Sequence, residues 1–124
     1  MAKINIISLS GDSFVNVGTQ NIEGVIVTNT DSEDVTFDLV VAPSKIADST
    51  STTDAVFVLK SIPVPVGSTF IWDDDDILSN IFNGGSFVSK YNSNTKKFED
   101  LKRNTFLIRV GSGHTADVLI RRSV

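Results

Sequence analysis

Four consecutive acidic residues at positions 73–76 are the densest group of side chains able to bind an ion. Carboxylate oxygens are the ligands that Ca²⁺ prefers, and the ion takes about six to eight oxygens. Because successive side chains of an extended chain point in opposite directions, only alternate members of the run can share one side. The EF-hand spacing is missing, and an acidic loop after a strand is more often simply solvated. We therefore expect no metal and no cofactor, and Asp73 and Asp75 are the metal candidates if the run does bind Ca²⁺.

Ser112, His114 and Asp117 have the residue types of a catalytic triad, and His114 is the only histidine of the chain. A triad needs three side chains that converge from a rigid frame, with the acid orienting the base. All three lie within six residues beside Gly111 and Gly113, and no Gly-x-Ser-x-Gly motif is present. The pattern favours a polar β-turn, so we expect the protein not to be an enzyme.

The composition excludes several kinds of site. The chain has 124 residues with no Cys and one His, which rules out disulfides, thiolate metal centres, thiol nucleophiles and sites that need two imidazoles. A net charge of −4 argues against a general nucleic-acid binder, which normally carries a basic face. The apolar segments are shorter than the ~18 residues of a membrane span, and the N-terminus lacks a signal-peptide pattern. We expect one domain over residues 1–124 that binds neither nucleic acid nor membrane.

Alternation with period 2 recurs in short segments, whereas helical periodicity is almost absent. Residues 35–41 alternate on one clear apolar face, and residues 22–29 are rich in β-branched types. The polar cluster at 30–34 between these segments predicts an antiparallel hairpin. Residues 105–110 and 116–121 are separated by a glycine-containing turn and predict a second hairpin.

The middle of the chain contains one strongly apolar segment followed by two prolines. Residues 55–60 are apolar on both faces, which predicts a strand in the interior of a sandwich. Pro63 and Pro65 mark the end of a strand or the edge of a sheet, because proline cannot donate to the ladder. Gly67 and Ser68 predict a turn before the next strand, which contains Trp72.

About seven to nine short strands with regularly spaced turns are typical of a sandwich or a small barrel. The sequence therefore predicts an all-β protein, a single antiparallel β-sandwich of jelly-roll or Ig-like topology. Residues 77–103 depart from this pattern and predict a short irregular or helical insertion. Within it, the apolar spacing over 77–82 indicates one helical turn, and residues 87–91 suit a strand.

Charge is unevenly distributed along the chain. Residues 1–76 carry a net charge of −9, and residues 77–124 carry a net charge of +5. A basic cluster in the second part consists of Lys96, Lys97, Lys102 and Arg103. Such a cluster could dock onto an acidic partner or support head-to-tail contact between subunits. We favour the alternative that strands of both parts interleave in the sandwich, so that the asymmetry averages out.

Three stretches carry strand and turn motifs in a characteristic order. Residues 22–31 end a strand in an Asn-Thr turn, which leads into the Val-Thr-rich strand at 35–41. Residues 58–68 contain an apolar strand, a proline turn and a Gly-Ser step, and two strands at 106–110 and 116–120 close the chain. Together these stretches, about two-thirds of the chain, resemble small β-sandwich virion structural proteins of tailed bacteriophages.

That resemblance implies a function without catalysis. Proteins of this group sit on the virion, so the chain is expected to be a capsid decoration or head accessory subunit that assembles in the host cytoplasm. A neck, tail or baseplate subunit is the alternative. The implied partners are other virion proteins, namely the major capsid protein or neck and tail subunits, together with further copies of the chain itself.

The insertion and the sheet edges are the expected partner contacts. Phe82, Phe87 and Tyr91 are candidate apolar anchors, although burial in the subunit's own core is an equal alternative. The basic cluster supplies the charged candidates. The strand at 3–9 could add to a neighbour's sheet edge. A carbohydrate- or receptor-binding module that uses Trp72 as an aromatic platform is a further alternative.

Overall fold

A computed structural model describes residues 3–11, 13–18, 22–43, 49–73, 88–101 and 104–122. All regular secondary structure in these ranges is β-strand, which confirms the predicted all-β class. The ten strands are β1 Lys3–Ser10, β2 Val15–Gly18, β3 Ile22–Asn29, β4 Val35–Pro43, β5 Val56–Val64, β6 Thr69–Trp72, β7 Val88–Asn92, β8 Lys97–Leu101, β9 Asn104–Val110 and β10 Thr115–Arg122. In this part of the chain no helix long and apolar enough to cross a membrane is found.

The strands pair in a nested order. Strand β4 pairs with β5, β3 with β6, β2 with β9 and β1 with β10, and every pair is antiparallel. Two more pairings, β10 with β3 and β9 with β4, join these ribbons into two four-stranded sheets. Sheet A has the order β1-β10-β3-β6, and sheet B has the order β2-β9-β4-β5. This is the strand order of a jelly roll rather than an Ig-like sandwich.

Side chains from both sheets meet in one buried apolar cluster. Val25, Val27 and Val118 of sheet A belong to it, as do Phe37 and Ile108 of sheet B. Alternate residues of each strand contribute because successive side chains point to opposite faces. The rings of Phe37 and Phe70, one from each sheet, lie with their centroids 5.2 Å apart. The shared cluster is consistent with the two layers of a β-sandwich.

Both predicted hairpins are wrong. Strands β3 and β4 lie in different sheets, and so do β9 and β10. The polar segments at 30–34 and 111–114 are therefore corners that pass from sheet A to sheet B, or back. A turn signal reports that the chain reverses, but it does not say which strand pairs with which. As a result, β3, β4, β9 and β10 each pair with a strand on both sides.

Strand β5 is an edge strand, so the predicted interior position of residues 55–60 is also wrong. Val56 and Phe57 are 49% and 42% exposed, because β5 pairs only with β4. The edge position agrees with the prediction from Pro63. Ser61 has a φ of +51°, and its amide nitrogen donates to Oδ1 of Asp38 at 2.7 Å. The carboxylate thus satisfies an amide at the place where the register between β4 and β5 shifts.

The outer face of sheet B is partly covered. Val40, Ala42 and Leu107 are buried there, and Phe14 and Ala55 pack against them. The segments before β2 and before β5 therefore form a second small apolar cluster on this side of the sheet.

Candidate docking surface

The insertion contains a regular antiparallel hairpin rather than an irregular or helical segment over the part that the structure describes. Strands β7 and β8 pair from Val88 opposite Leu101 to Asn92 opposite Lys97. Oδ1 of Asn92 accepts the amide nitrogen of Asn94 at 2.9 Å, which closes the turn after β7. The predicted strand near 87–91 is confirmed in position, whereas the helical turn predicted at 77–82 lies outside the described residues.

One face of the hairpin presents an exposed aromatic pair. Tyr91 and Phe98 lie directly opposite each other in the register, with ring centroids 5.4 Å apart in a T-shaped arrangement. Their exposed fractions are 51% and 70%. Edge-to-face contact stabilises the two rings against each other and fixes their orientation. The pair therefore offers a preformed apolar surface of two rings. We call it the aromatic pair.

The opposite face of the hairpin carries charges that tie it to the rest of the molecule. Nζ of Lys90 lies 2.9 Å from Oδ1 of Asp54, in the loop before β5. Nδ2 of Asn92 donates to Oε1 of Glu99 at 2.8 Å across the two strands. An open recess on this side is lined by Asp54, Lys90, Tyr91, Asn92, Ser93 and Glu99. The ion pair therefore links the hairpin to the loop before β5.

The structure places three of the predicted partner-binding residues in the hairpin. Tyr91 is exposed, so its burial in the subunit's own core is excluded. Lys96 and Lys97 are exposed at the turn, and Lys96 has a φ of +55°. Four other candidates lie outside the described residues: Phe82, Phe87, Lys102 and Arg103.

Phe98 is a residue that sequence reasoning missed. Its signal is present in the chain, because a four-residue turn at 93–96 places position 98 opposite position 91. The irregular course expected for the insertion concealed this register. Once the turn is placed, the two aromatic residues fall on one face of a hairpin.

The acidic run contributes one described residue, Asp73, which is exposed just after β6. Asp75 lies outside the described residues. Among the residues that the structure describes, no group of three or more His, Cys, Asp or Glu is placed to hold a metal ion.

His114 is placed in a corner, as the predicted polar turn requires. Its amide nitrogen donates to the carbonyl oxygen of Gly111 at 3.1 Å, which confirms the turn. Its Nδ1 atom lies 3.3 Å from Oδ2 of Asp31. Asp117 lies on β10, two residues beyond the turn end, and its carboxylate forms no contact with His114 in the described chain. His114 is therefore a residue of the corner, and it does not form a triad with Asp117.

Asp31 is the centre of the contacts between the two corners. Its Oδ2 atom accepts the amide nitrogen of Thr115 at 3.0 Å, and its Oδ1 atom accepts that of Glu33 at 3.1 Å. Desolvation raises the pKa of the Asp31 carboxyl, but the hydrogen bonds from Glu33, Thr115 and His114 outweigh this effect. The pKa of Asp31 is therefore held below its usual 3.8.

The predicted interleaving of the two charged parts of the chain is confirmed. Strand β9 lies between β2 and β4, and β10 lies between β1 and β3. Nε of Arg109 on β9 lies 2.8 Å from Oδ2 of Asp38 on β4, so charges from the two parts of the sequence neutralise each other. The guanidinium carbon of Arg109 also lies 4.4 Å from the centre of the Phe14 ring.

Trp72 lies on the core side of sheet A. It pairs with Val25 in the register and packs against the buried cluster. A side chain held there does not form an exposed aromatic platform of the kind that a carbohydrate site uses.

The sequence matches no protein-family model, and no curated protein is similar to it.

Proposed function

We propose that this chain is a non-enzymatic structural subunit of a tailed-bacteriophage virion, a capsid decoration or head accessory protein that docks through the β7–β8 hairpin. The observation that carries the proposal is the aromatic pair, Tyr91 and Phe98, exposed on a hairpin that forms a two-stranded sheet of its own. A neck, tail or baseplate position is the alternative within the same class. The resemblance of the strand and turn motifs supplies the virion context.

Aromatic side chains are the residues most often found at the centre of protein interfaces. Truncation of such an anchor costs about 2 kcal/mol or more of binding free energy. The two rings are held by each other, so little side-chain entropy is lost when a partner covers them. Lys96 is exposed at the hairpin turn and suits an acidic rim around the partner's apolar contact. Lys97 is also exposed but lies across from Asn92, on the opposite face of the hairpin.

The jelly roll is a fold used by viral capsid domains, but also by lectins and cupins, and a fold alone does not define a function. The core-side position of Trp72 disfavours the carbohydrate-binding alternative. The expected partners are therefore the major capsid protein or neck and tail subunits, contacted through side chains rather than through a bound ligand.

Binding to purified particles that lack this subunit tests the proposal. Wild-type protein is expected to co-sediment with the particles and to saturate at a fixed number of copies. The double variant Tyr91→Ser and Phe98→Ser should lose at least about tenfold in affinity. Val66→Ser is a matched control, because Val66 is 52% exposed in the turn between β5 and β6, outside the hairpin.

Two results would contradict the proposal. If the wild-type protein binds no capsid, neck or tail assembly, the proposed virion function is wrong. If the double variant keeps its full affinity, the hairpin is not the docking element. Electron-microscopy density for the subunit on the particle decides between the head and the neck or tail.

A further inference from the structure

Strand β1 lies at the edge of sheet A and has a regular course. It pairs with β10 over its whole length, from Lys3 opposite Arg122 to Ser10 opposite Thr115, without a register shift. No described strand pairs with its other side. Alternate residues of an antiparallel edge strand direct their N–H and C=O groups away from the neighbouring strand. The open side of β1 is therefore a template for one more strand.

The side chains of β1 alternate between the core and the outer face of sheet A. Leu9 is 2% exposed and Ile7 packs against the same core cluster, so the odd-numbered positions point inward. Ile4 and Ile6 point outward and are 59% and 77% exposed. The open edge thus runs beside two exposed isoleucines, which a further strand would cover.

The other three edge strands of the described sandwich carry features that oppose further pairing. Strands β2 and β6 are only four residues long, and the register of β2 is interrupted by a shift. Four acidic residues at 73–76 follow β6 directly. Strand β5 contains Pro63, the exposed Lys60 and two register shifts against β4. Short length, irregularity, proline and lysine are the means by which proteins prevent pairing between sheet edges.

Strand β1 has none of these protective features. It is eight residues long, contains no proline, and has Lys3 at one end as its only charged residue. Its unpaired backbone groups recur with the period of a strand, so the partner that satisfies them is another extended strand. A second copy of this chain offers four described edges, of which β1 is the one without these features. The β1 edge of a second copy is therefore the matching partner.

We infer that two copies of this chain pair through β1, antiparallel, about a two-fold axis perpendicular to sheet A at Ile6. Such an axis keeps the outer faces of the two copies on the same side, so residues of the same face lie opposite each other. Ile6 then lies opposite Ile6 of the second copy, and Ile4 lies opposite Ser8. Lys3 lies opposite Leu9, so the two lysines do not face each other. The contact is isologous and closes at two copies.

The pairing joins the two four-stranded sheets into one continuous sheet. Backbone hydrogen bonds supply the affinity, as in other cases of strand addition. On the outer face Ile4 and Ile6 of both copies form one apolar stripe, because directly opposite and diagonal cross-strand neighbours contact each other. A contact of one strand from each copy is smaller than the ~1,200 Å² of stable interfaces, so the dimer is weak and reversible. The inference does not rest on the proposed virion function.

Sedimentation equilibrium at rising protein concentration tests the dimer. The average mass of the wild-type protein is expected to rise from 13.4 kDa toward twice that value. Ile6→Lys should weaken association at least about tenfold, because two lysines would then face each other at the axis. Ile71→Lys is the matched control, since Ile71 is 60% exposed on the same face of sheet A but lies on β6, at the opposite edge. This variant should associate like the wild type.

Cysteine cross-linking tests the register, because the chain contains no cysteine of its own. Directly opposite residues of an antiparallel pair have Cα atoms about 4.5–5.5 Å apart, which suits a disulfide. Ile6→Cys should therefore give a covalent dimer on mild oxidation. Ser8→Cys is the control, because its two thiols would lie on residues about 13 Å apart along the paired strands. An equimolar mixture of Ile4→Cys and Ser8→Cys should cross-link between unlike copies.

Three results would overturn the inference. The first is a wild-type protein that stays monomeric up to millimolar concentration. The second is an Ile71→Lys variant that loses as much affinity as Ile6→Lys, which would indicate contact through the sheet face. The third is a Ser8→Cys variant that cross-links as fast as Ile6→Cys, which would show that the strands have no fixed register. If Ile6→Lys does not fold, as judged by circular dichroism, the cysteine variants decide.

Discussion

The amide nitrogen of Thr115 donates to Oδ2 of Asp31 across 3.0 Å, and this bond joins positions 84 residues apart. It connects the corner between β3 and β4 to the corner between β9 and β10. The hydroxyl of Thr30 reinforces it by donating to that of Thr115 at 3.1 Å, and the amide of Gly111 donates to the carbonyl of Thr36 at 2.9 Å. Both corners cross between the sheets side by side. The Asp31 carboxylate therefore links the corner between β9 and β10 to the corner between β3 and β4.

The first prediction concerns the pH dependence of this corner. The folded-state pKa of Asp31 lies below its usual 3.8, so the carboxylate stabilises the fold fully above that pH. This contribution is lost as the pH falls through the lower folded pKa. Asp31→Asn should therefore be less stable than the wild type at pH 7, and the difference should shrink below about pH 3.8.

Thermal unfolding followed by circular dichroism between pH 7 and pH 2 measures this effect. Asp73→Asn is the matched control, because Asp73 is exposed and its carboxylate has no hydrogen-bond partner among the described residues. Its pH profile should follow that of the wild type. A wild-type profile and an Asp31→Asn profile that run parallel down to pH 2 would show that Asp31 does not stabilise the corner through its charge.

The second prediction concerns the buried amide of Asn29 at the end of β3, which is 7% exposed. Its Nδ2 atom donates to the carbonyl oxygens of Glu33 and Val64 at 2.8 and 2.9 Å, and its Oδ1 atom accepts the amide of Asp31 at 2.7 Å. Asn29→Ala leaves these groups without partners, and we expect a loss of about 1–3 kcal/mol in the free energy of unfolding.

Denaturant titration of Asn29→Ala and of Asn94→Ala separates this role from a general effect of removing an asparagine. Asn94 is exposed in the hairpin turn, and only its backbone amide takes part in the turn. Its substitution should change the free energy of unfolding by less than about 0.5 kcal/mol. Equal effects at the two positions would mean that the buried amide does not hold the corner.

The strands themselves were predictable, because period-2 alternation is a local property of the sequence. The partners of the strands were not. Residues 22–29 and 35–41 flank a turn cluster in the manner of a hairpin, yet Val27 pairs with Val118, far along the chain. Whether a turn closes a hairpin or crosses between sheets depends on contacts such as that of Asp31 with Thr115, which local patterns do not contain.

The candidate surface was predictable only in part. Tyr91 could be singled out as an apolar anchor because an aromatic residue in an insertion stands apart from the strand pattern. Phe98 required the register of the hairpin, because only the pairing of β7 with β8 shows that it lies opposite Tyr91.

The third prediction separates the core from the outer surface by comparing two phenylalanines of sheet B. Phe37 is 1% exposed and meets Phe70 of sheet A, whereas Phe57 is 42% exposed on the edge strand. Phe37→Ala should cost about 3–5 kcal/mol in the free energy of unfolding. Phe57→Ala should cost less than about 1.5 kcal/mol, because solvent already reaches its ring.

Denaturant titration of both variants, with near-ultraviolet circular dichroism as a check of native packing, provides the measurement. A Phe37→Ala variant no less stable than Phe57→Ala would show that the two sheets do not pack through Phe37 and Phe70. The comparison uses the same residue change at both positions, so the side chain that is removed is identical.

The fourth prediction compares two ion pairs of different burial. The Asp38 side chain is 15% exposed and binds both Nε of Arg109 and the amide of Ser61, at 2.8 and 2.7 Å. The side chains of Lys90 and Asp54 are 60% and 32% exposed, and their single contact is 2.9 Å long. Exposed pairs contribute about 0–1 kcal/mol, because water screens them and both side chains lose freedom.

Double-mutant cycles with alanine at each pair measure the two coupling energies. We expect a coupling of about 1–2 kcal/mol between Asp38 and Arg109, since a charge-assisted hydrogen bond sheltered from water is worth more than an exposed pair. The coupling between Asp54 and Lys90 should stay below about 0.5 kcal/mol. Asp38→Ala should also lower stability more than Arg109→Ala, because it leaves the Ser61 amide at the β5 irregularity without its acceptor. The reverse order of the single variants would mean that Asp38 acts only through the arginine and not through the strand edge.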